Sequence, residues 1–251
     1  MFGNTGKIVW VDLDESAAQI RTLPDSYYTR FIGGAGLAAK IFWDFGDFHA
    51  APLSPQALLI FMNGPFAGLK LSGCSRSAVA GRSPLTGHWG DSSCGGHFAP
   101  ELRYAGFDGI VLEGKSKFPC VLFVEDGLVQ ILPAGDMWGA GVFDTTDTLR
   151  KQFGKKSRSL VIGPAGENLV NYACIINEGH HAFGRAGYGA VMGSKNLKAI
   201  IVKSSEPRYL AADPESLDAL RRELDSRIRN SVTSQVFHEN GTAANLEEME
   251  E

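Results

Sequence analysis

HHAFGRAGYGAVMGSKN, from His180 to Asn196, holds four glycines within ten positions and carries cations at both ends. A second stretch, GDSSCGGHF from Gly90 to Phe98, is also polar and glycine-rich. Arg76 and Arg82 precede that stretch, and Arg185 and Lys195 flank the glycines of the other. Glycine leaves backbone N–H groups accessible, and with a cation nearby these make a nest for phosphate or another anion. Arginine grips phosphate oxygens in pairs, which lysine cannot do. Two such loops brought together would suit a ligand with two phosphate ends. The plain alternative is that the glycines only make tight turns.

Other chemistries are less well supported. Glu101, Asp108, Glu167 and Glu178 lie near the glycine segments. Each could act as a general base or only accept hydrogen bonds. His180 and His181 are adjacent, so on a strand they face opposite ways and cannot readily share a metal ion. His88 and His97 have no carboxylate at a ligand spacing. Cys74, Cys94, Cys120 and Cys174 are never two or three residues apart, which excludes a local zinc or iron–sulfur ligand run. Cys120 and Cys174 sit in strand-like runs and read as buried thiols, whereas Cys74 and Cys94 sit in loops beside glycine. GRAGYG at 184–189 reverses the GxGxxG order and lacks the strand–loop–long-helix setting, which excludes a Rossmann site. No nucleophile-elbow serine is visible.

The elements that position these residues follow from periodicity. GKIVWVDLD and AAQIRTL, ending at Leu23, read as a hairpin. PDSYYTRFIGG reads as a short helix capped by Asp25 or Ser26, and 36–46 as a second helix stopped by Gly46. ALLIFMNGP and SRSAVAGRSP read as strands, and 85–109 as a long polar loop leading into a helix near APELRYAGF. GIVLEG is a strand, and 119–132 a hairpin turning at Asp126–Gly127. Asp144 is expected to cap a helix that ends at Gly154. SLVIGP, NYACIIN and LKAIIVKS complete the strands. A buried strand ending in Gly-Pro occurs twice, and each copy leads to a strand and then to a glycine loop. That echo predicts two similar halves, with the loops in equivalent places near a pseudo-twofold axis. The fold class expected is α+β: two similar halves with mixed or antiparallel sheets and short helices, plus a C-terminal helical extension. The texture changes after Pro207. Residues 213–230 read as an amphipathic helix, and the rest shows no core pattern.

The 251 residues carry a net charge of −4, which argues against a nucleic-acid partner. The longest apolar runs, such as ALLIFM, are far shorter than the ~20 residues that cross a bilayer. No charged-then-apolar leader opens the chain, so a cytoplasmic setting with reduced thiols and no membrane is expected. Thirty residues are glycine. That is well above the usual ~7%, and it singles out the loops.

SRSAVAGRSPLTG, SCGGHFAPELRYAGFDGIVLEGKS, IGPAGENLVNYACIINEGHHAFGRAGYGAVMGSKNLKAI and the opening GNTGKIVWVDL resemble the N-terminal domain of the aldehyde:ferredoxin oxidoreductase family, over about residues 1–206. The resemblance implies a tungsten-binding domain, with molybdenum as the alternative metal, in which the metal is held between two pyranopterins of the molybdopterin type. It also implies aldehyde oxidation to carboxylic acid, ferredoxin as electron acceptor, a [4Fe–4S] cluster, and a magnesium ion shared by the pterin phosphates. Arg76 matches the family's cofactor-contacting arginine. Ser93 stands where relatives carry a magnesium-ligating asparagine. Gly95 and Gly96 match loop glycines, with Cys94 between them and Ser93. His181 stands where relatives carry a phosphate-binding arginine. Ala182 matches the position whose carbonyl faces the magnesium, so Ser93 and Ala182 are the implied metal residues. Phe183, Gly184 and Arg185 complete the implied cofactor-binding set.

No catalytic residue is assigned. The cluster cysteines and the aldehyde channel are expected outside this sequence, so the chain alone is expected to be inactive. Residues 1–206 are then the tungstopterin-binding domain. Residues 207–251 are the start of a helical second domain, truncated and partly disordered. Expected partners are the protein's own C-terminal domains, an aldehyde, ferredoxin and a second copy in a homodimer. The alternatives are a non-catalytic pterin-binding or dimerisation module, and a related enzyme acting on another acid or acyl substrate.

Overall fold

The computed structural model describes residues 2–209 and 211–245. The chain divides into two units, 1–69 with 75–210, and 70–74 with 211–251.

In the first unit, strand β1 (Lys7–Asp12) pairs antiparallel with β2 (Ala17–Thr22). Residues 8 to 11 of β1 are all buried. A strand that is apolar on both faces must be covered on both. On one side lie α1 (Asp25–Phe31) and α2 (Gly34–Phe45), which bring Leu37, Ala38, Ile41 and Phe42 onto Ile8, Ile60 and Val111. Then come β3 (Leu59–Asn63), β4 (Ser77–Arg82), β5 (Trp89–Cys94), α3 (Phe98–Tyr104) and β6 (Gly109–Glu113). The second half runs β7 (Cys120–Glu125), β8 (Leu128–Pro133), α4 (Val142–Phe153), β9 (Arg158–Val161), α5 (Pro164–Glu167), β10 (Ile175–Asn177), β11 (His181–Phe183), α6 (Tyr188–Ser194) and β12 (Leu197–Lys203).

The halves are one topology used twice. The first sheet is ordered β2-β1-β6-β3-β4-β5, and the second, read from the matching end, β8-β7-β12-β9-β10-β11. In each, the opening hairpin is antiparallel, the first and last strands pair in parallel, and every other neighbour is antiparallel. Val9, Phe61 and Val79 of the first sheet share one core cluster with Leu122, Ile200 and Val202 of the second. Helix α3 of the first half packs on β9 and β12 of the second, and α6 of the second packs on β3 and β4 of the first. Each half thus lends a helix to the other's sheet. The class is α+β as expected.

Several local expectations change. The 85–109 stretch is not all loop: β5 occupies Trp89–Cys94 and pairs with β4 in full register. Pro24 takes the position before α1, so neither Asp25 nor Ser26 caps it. Gly141 takes that position before α4, and Asp144 lies inside the first turn. The Asp126–Gly127 turn stands, with both residues at positive φ (43 and 92) as a tight two-residue hairpin requires.

The second unit contains α7 (Pro214–Arg229), capped by Asp213, whose carboxylate accepts from the Ser216 amide at 3.0 Å. No residue of α7 is buried; Leu217 and Leu224 of its apolar stripe are half-buried, and Leu220 and Ile228 are exposed. The stretch that shows no core pattern in the sequence contains α8 (Val232–Asn240), whose cap is Ser231. The acidic end, 246–251, lies outside the described residues. No helix among the described residues is long and apolar enough to cross a membrane.

Candidate functional site

β5 and β11 are the edge strands at equivalent ends of the two sheets. An edge strand leaves one row of backbone groups unpaired by its own sheet. β5 continues into Gly95, Gly96 and His97 before α3, and β11 into Gly184, Arg185, Ala186 and Gly187 before α6. The two loops occupy matching places, and each is held by the other half. The Arg185 amide donates to Ser92 Oγ at 3.2 Å, and Ser83 Oγ donates to the Ala186 carbonyl at 2.8 Å. From the other side, Asn177 Nδ2 donates to the Gly95 carbonyl at 2.6 Å, and the His97 amide donates to Glu178 Oε2 at 2.9 Å.

Side chains sort by strand periodicity. Ser93 is exposed, and its neighbours Ser92 and Cys94 are buried. Arg76, just before β4, donates from Nη2 to the Ser93 carbonyl at 3.2 Å and to Ser93 Oγ at 2.9 Å. His181, Ala182, Gly184 and Arg185 are exposed. Among the described residues the Arg185 guanidinium makes no hydrogen bond or ion pair, so its charge is available to an anion. Cys94 and Phe183 instead point into the core, and the Phe183 ring meets Phe61 edge-on at 6.0 Å. Burial pushes the Cys94 thiol up to about 11. As cofactor residues these two can offer only backbone, because β5 and β11 turn their side chains inward.

Only part of each glycine stretch is open to a ligand. A Cβ on Gly95 or Gly184 would meet nothing closer than 4.0 Å. A Cβ on Gly187 or Gly193 would strike the carbonyls of Asn171 or Gly166, so these glycines let α6 lie directly on neighbouring backbone. The tight-packing explanation therefore accounts for the C-terminal glycines of the 180–196 stretch, and only 184–185 is open enough to serve as an anion cradle.

Two of the expected anion-binding cations are used elsewhere. Lys195 is fully buried, and its Nζ donates to the carbonyls of Pro55 and Gly114 at 3.0 and 3.1 Å. Burial pushes its ammonium down to about 8, against the pull of Asp14 and Glu113. The Arg82 guanidinium donates to the carbonyls of Gly87, Phe48 and Ala50. The four carboxylates are also occupied. Glu101 accepts from Ser204, Glu167 from Lys198, Asp108 from Arg103 and Tyr28, and Glu178 from His97 and Arg158. Cys120 is buried as expected, while Cys174 is only half-buried. Among the described residues no group of three or more His, Cys, Asp or Glu could hold a metal ion.

Residues 8–204 match the family model described as "Aldehyde ferredoxin oxidoreductase, N-terminal domain". The chain belongs to the aldehyde ferredoxin oxidoreductase family. The tungsten-containing aldehyde ferredoxin oxidoreductase of Pyrococcus furiosus is 39% identical over 231 residues, covering 92% of this chain and 38% of that protein. The aliphatic sulfonate oxidoreductase, WOR-like subunit, of the same organism is 34% identical, covering 97% of this chain and 41% of that one. Among solved structures, the active-site complex BamBC of benzoyl coenzyme A reductase with 1,5-dienoyl-CoA superposes with a TM-score of 0.87 at 35% identity, covering 91% of this chain and 35% of that one. The chain thus spans about two-fifths of the length of these relatives.

Within the family domain, sequence reasoning missed two things. Asp91 is exposed two residues before Ser93 on β5, which sets the two residues on one face of the strand. Alternation would have revealed it, had 89–94 been read as a strand. Asn177 was overlooked because nothing local distinguishes a polar residue that closes a short strand.

Proposed function

We propose that residues 1–206 are the cofactor-binding domain of a tungsten or molybdenum pterin oxidoreductase that oxidises aldehydes to carboxylic acids in the cytoplasm. Ferredoxin would be the electron acceptor, and 207–251 would open a helical second domain of the same, homodimeric, protein. The observation that carries this reading is the placement of two equivalent loops at the neighbouring edge strands β5 and β11, each hydrogen-bonded to the other half, with exposed arginines beside each. The residues fit a ligand with two phosphate ends. Gly95 and Gly184 leave open space over the backbone, Arg76 and Arg185 offer bidentate donors, and the Ser93 hydroxyl faces outward. Ser93 and the Ala182 carbonyl would supply oxygen ligands to a magnesium ion between the phosphates, a hard cation that favours oxygen.

When bound, the metal–pterin group supplies two-electron chemistry: aldehyde and water yield carboxylic acid, two protons and two electrons. This chain's residues bind and orient that group. Arg76 would do so while bracing Ser93, and His181 would add a weaker contact because an imidazole lacks the paired donors of a guanidinium. The four cysteines here do not form a cluster-ligand run, so a [4Fe–4S] cluster would draw its ligands from outside this sequence.

A related enzyme acting on another substrate is the second reading. Relatives named for aldehydes, sulfonates and an acyl thioester share this domain at 34–39% identity, so substrate choice would lie elsewhere in the protein. The deciding experiment is elemental analysis for tungsten and molybdenum, with pterin fluorescence, on protein purified from its native host. Stoichiometric metal and pterin are expected, and absence of both overturns the reading. Arg76→Ala is expected to lower pterin occupancy more than His181→Ala, because only Arg76 also holds Ser93.

A further inference from the structure

The turn between β10 and β11 sets two consecutive side chains of the second half onto the loop of the first. Asn177, 1% exposed, holds the Gly95 carbonyl at 2.6 Å. Glu178, 6% exposed, accepts from the His97 amide at 2.9 Å, and the His97 ring Nδ1 lies 3.1 Å from the same oxygen. Between those two anchors, Gly96 sits at φ +92. A Cβ there would lie 2.5 Å from Asn177 Nδ2 and 2.9 Å from His181 Cδ2. Three successive backbone positions of one loop are therefore fixed by three residues of the other half.

The anchoring residues are themselves constrained. Glu178 adopts φ +54, which is uncommon for a residue with a side chain. It is held there by its own amide on the Ser159 carbonyl at 3.1 Å and by Arg158 Nη1 on Oε1 at 2.8 Å. Arg150 approaches the same oxygen at 4.0 Å. Asn177 Oδ1 is buried without a hydrogen-bond partner among the described residues. Backbone strain and an unsatisfied buried acceptor both cost stability, and they concentrate where a precise geometry is enforced.

We propose that Asn177 and Glu178 are a positioning pair that locks Gly95–His97 against β11, so that the two loops present one rigid anion-binding surface. The coupling stands on contacts within this chain, whereas its use in anion binding rests on the reading under Proposed function.

Amide hydrogen exchange on the full chain tests the coupling without any cofactor. Asn177→Ala is expected to speed exchange at the His97 amide by about tenfold, the scale of one lost hydrogen bond, although Asn177 does not touch that amide. Amides of β3 and β12 are expected to keep their protection. Glu178→Gln, which retains a carbonyl acceptor, should preserve most of the His97 protection. Glu178→Gly, which relieves the strained φ, should abolish it with the fold intact, and it serves if Asn177→Ala does not fold. Unchanged His97 exchange in Asn177→Ala and Glu178→Gly overturns the coupling, as does a rise matched in β3 and β12.

Binding of inorganic phosphate with magnesium is the second readout, with about tenfold weaker affinity expected in Asn177→Ala. Equal affinity in wild type and variant overturns the positioning role. No binding in wild type, with the exchange coupling present, removes the anion reading and leaves the pair as a structural clamp.

Discussion

The two halves share a strand order but tether themselves with different buried charges. In the first, Asp108 accepts from the amides of Thr5 and Gly6 at 2.9 and 2.8 Å, from the Tyr28 hydroxyl at 2.7 Å and from Arg103 at 2.5 Å. In the second, Glu167 accepts from Lys198, which also reaches the Ala140 carbonyl at 2.8 Å, and from the Gly139 amide at 2.8 Å. The strand order is the same in both halves, while the polar ties are specific to each. The loops differ in the same way. Both loops are held by side chains of the opposite half, Asn177 and Glu178 on 95–97 and Ser92 and Ser83 on 184–187, but only the 184–187 loop also runs into a helix seated on backbone.

The charge contrast can be broken by truncation, and it should give the largest effect. Removing one partner of a buried ion pair costs about 3–5 kcal/mol. Asp108→Ala should reach that range in urea denaturation, because it strands an arginine that cannot lose its proton. Glu167→Ala should cost less, because a stranded lysine can shed its proton. Equal losses would erase the distinction between the halves.

The loop contrast comes next. Gly96→Ala puts a methyl into the left-handed region and against Asn177, so about 2–3 kcal/mol is expected. Gly184→Ala meets open space and should stay within about 0.5 kcal/mol. Thermal melts of the two variants compare the loops directly, and similar shifts would show them to be equally constrained.

A smaller effect is expected from acid. Burial opposes ionisation of Glu178, but the His97 amide and the Arg158 guanidinium outweigh it and hold the carboxyl below its usual range. A carboxyl with a depressed folded value contributes stability above its unfolded value of about 4.3, and that stability fades as pH falls through the folded value. Wild type should therefore exceed Glu178→Gln by about 1 kcal/mol at pH 7, with the gap closing in acid. A gap that persists at pH 2 would assign the effect to shape instead of charge.

The smallest expected difference is chemical. A thiol reagent at pH 7.5 should label half-exposed Cys74 and Cys174 well before buried Cys94 and Cys120. Labelling that begins at Cys94 would mean that β5 frays from its sheet.

Much of the fold is legible in local pattern. Strands built on runs such as LIFM and AIIV are continuously apolar, and Asp126–Gly127 is the turn a tight hairpin needs. The strand Trp89–Cys94 escaped because GDSSC is polar and glycine-containing. Its strand character comes from pairing with β4, not from propensity. In the sequence Lys195 reads as an anion ligand because it flanks the glycine stretch. Only the fold shows that it turns inward to the carbonyls of Pro55 and Gly114.

Composition and short-range spacing determined most element types, the existence of two echoing halves, and the two glycine stretches that set this domain apart in composition. They did so because helix, strand and turn preferences act over a few residues. Tertiary structure decided which glycines border open space, which arginines are tied to carbonyls, and that Asn177 and Glu178 grip a loop about 80 residues away in the chain. Those outcomes depend on side chains meeting across the two sheets, and no local pattern carries that distance.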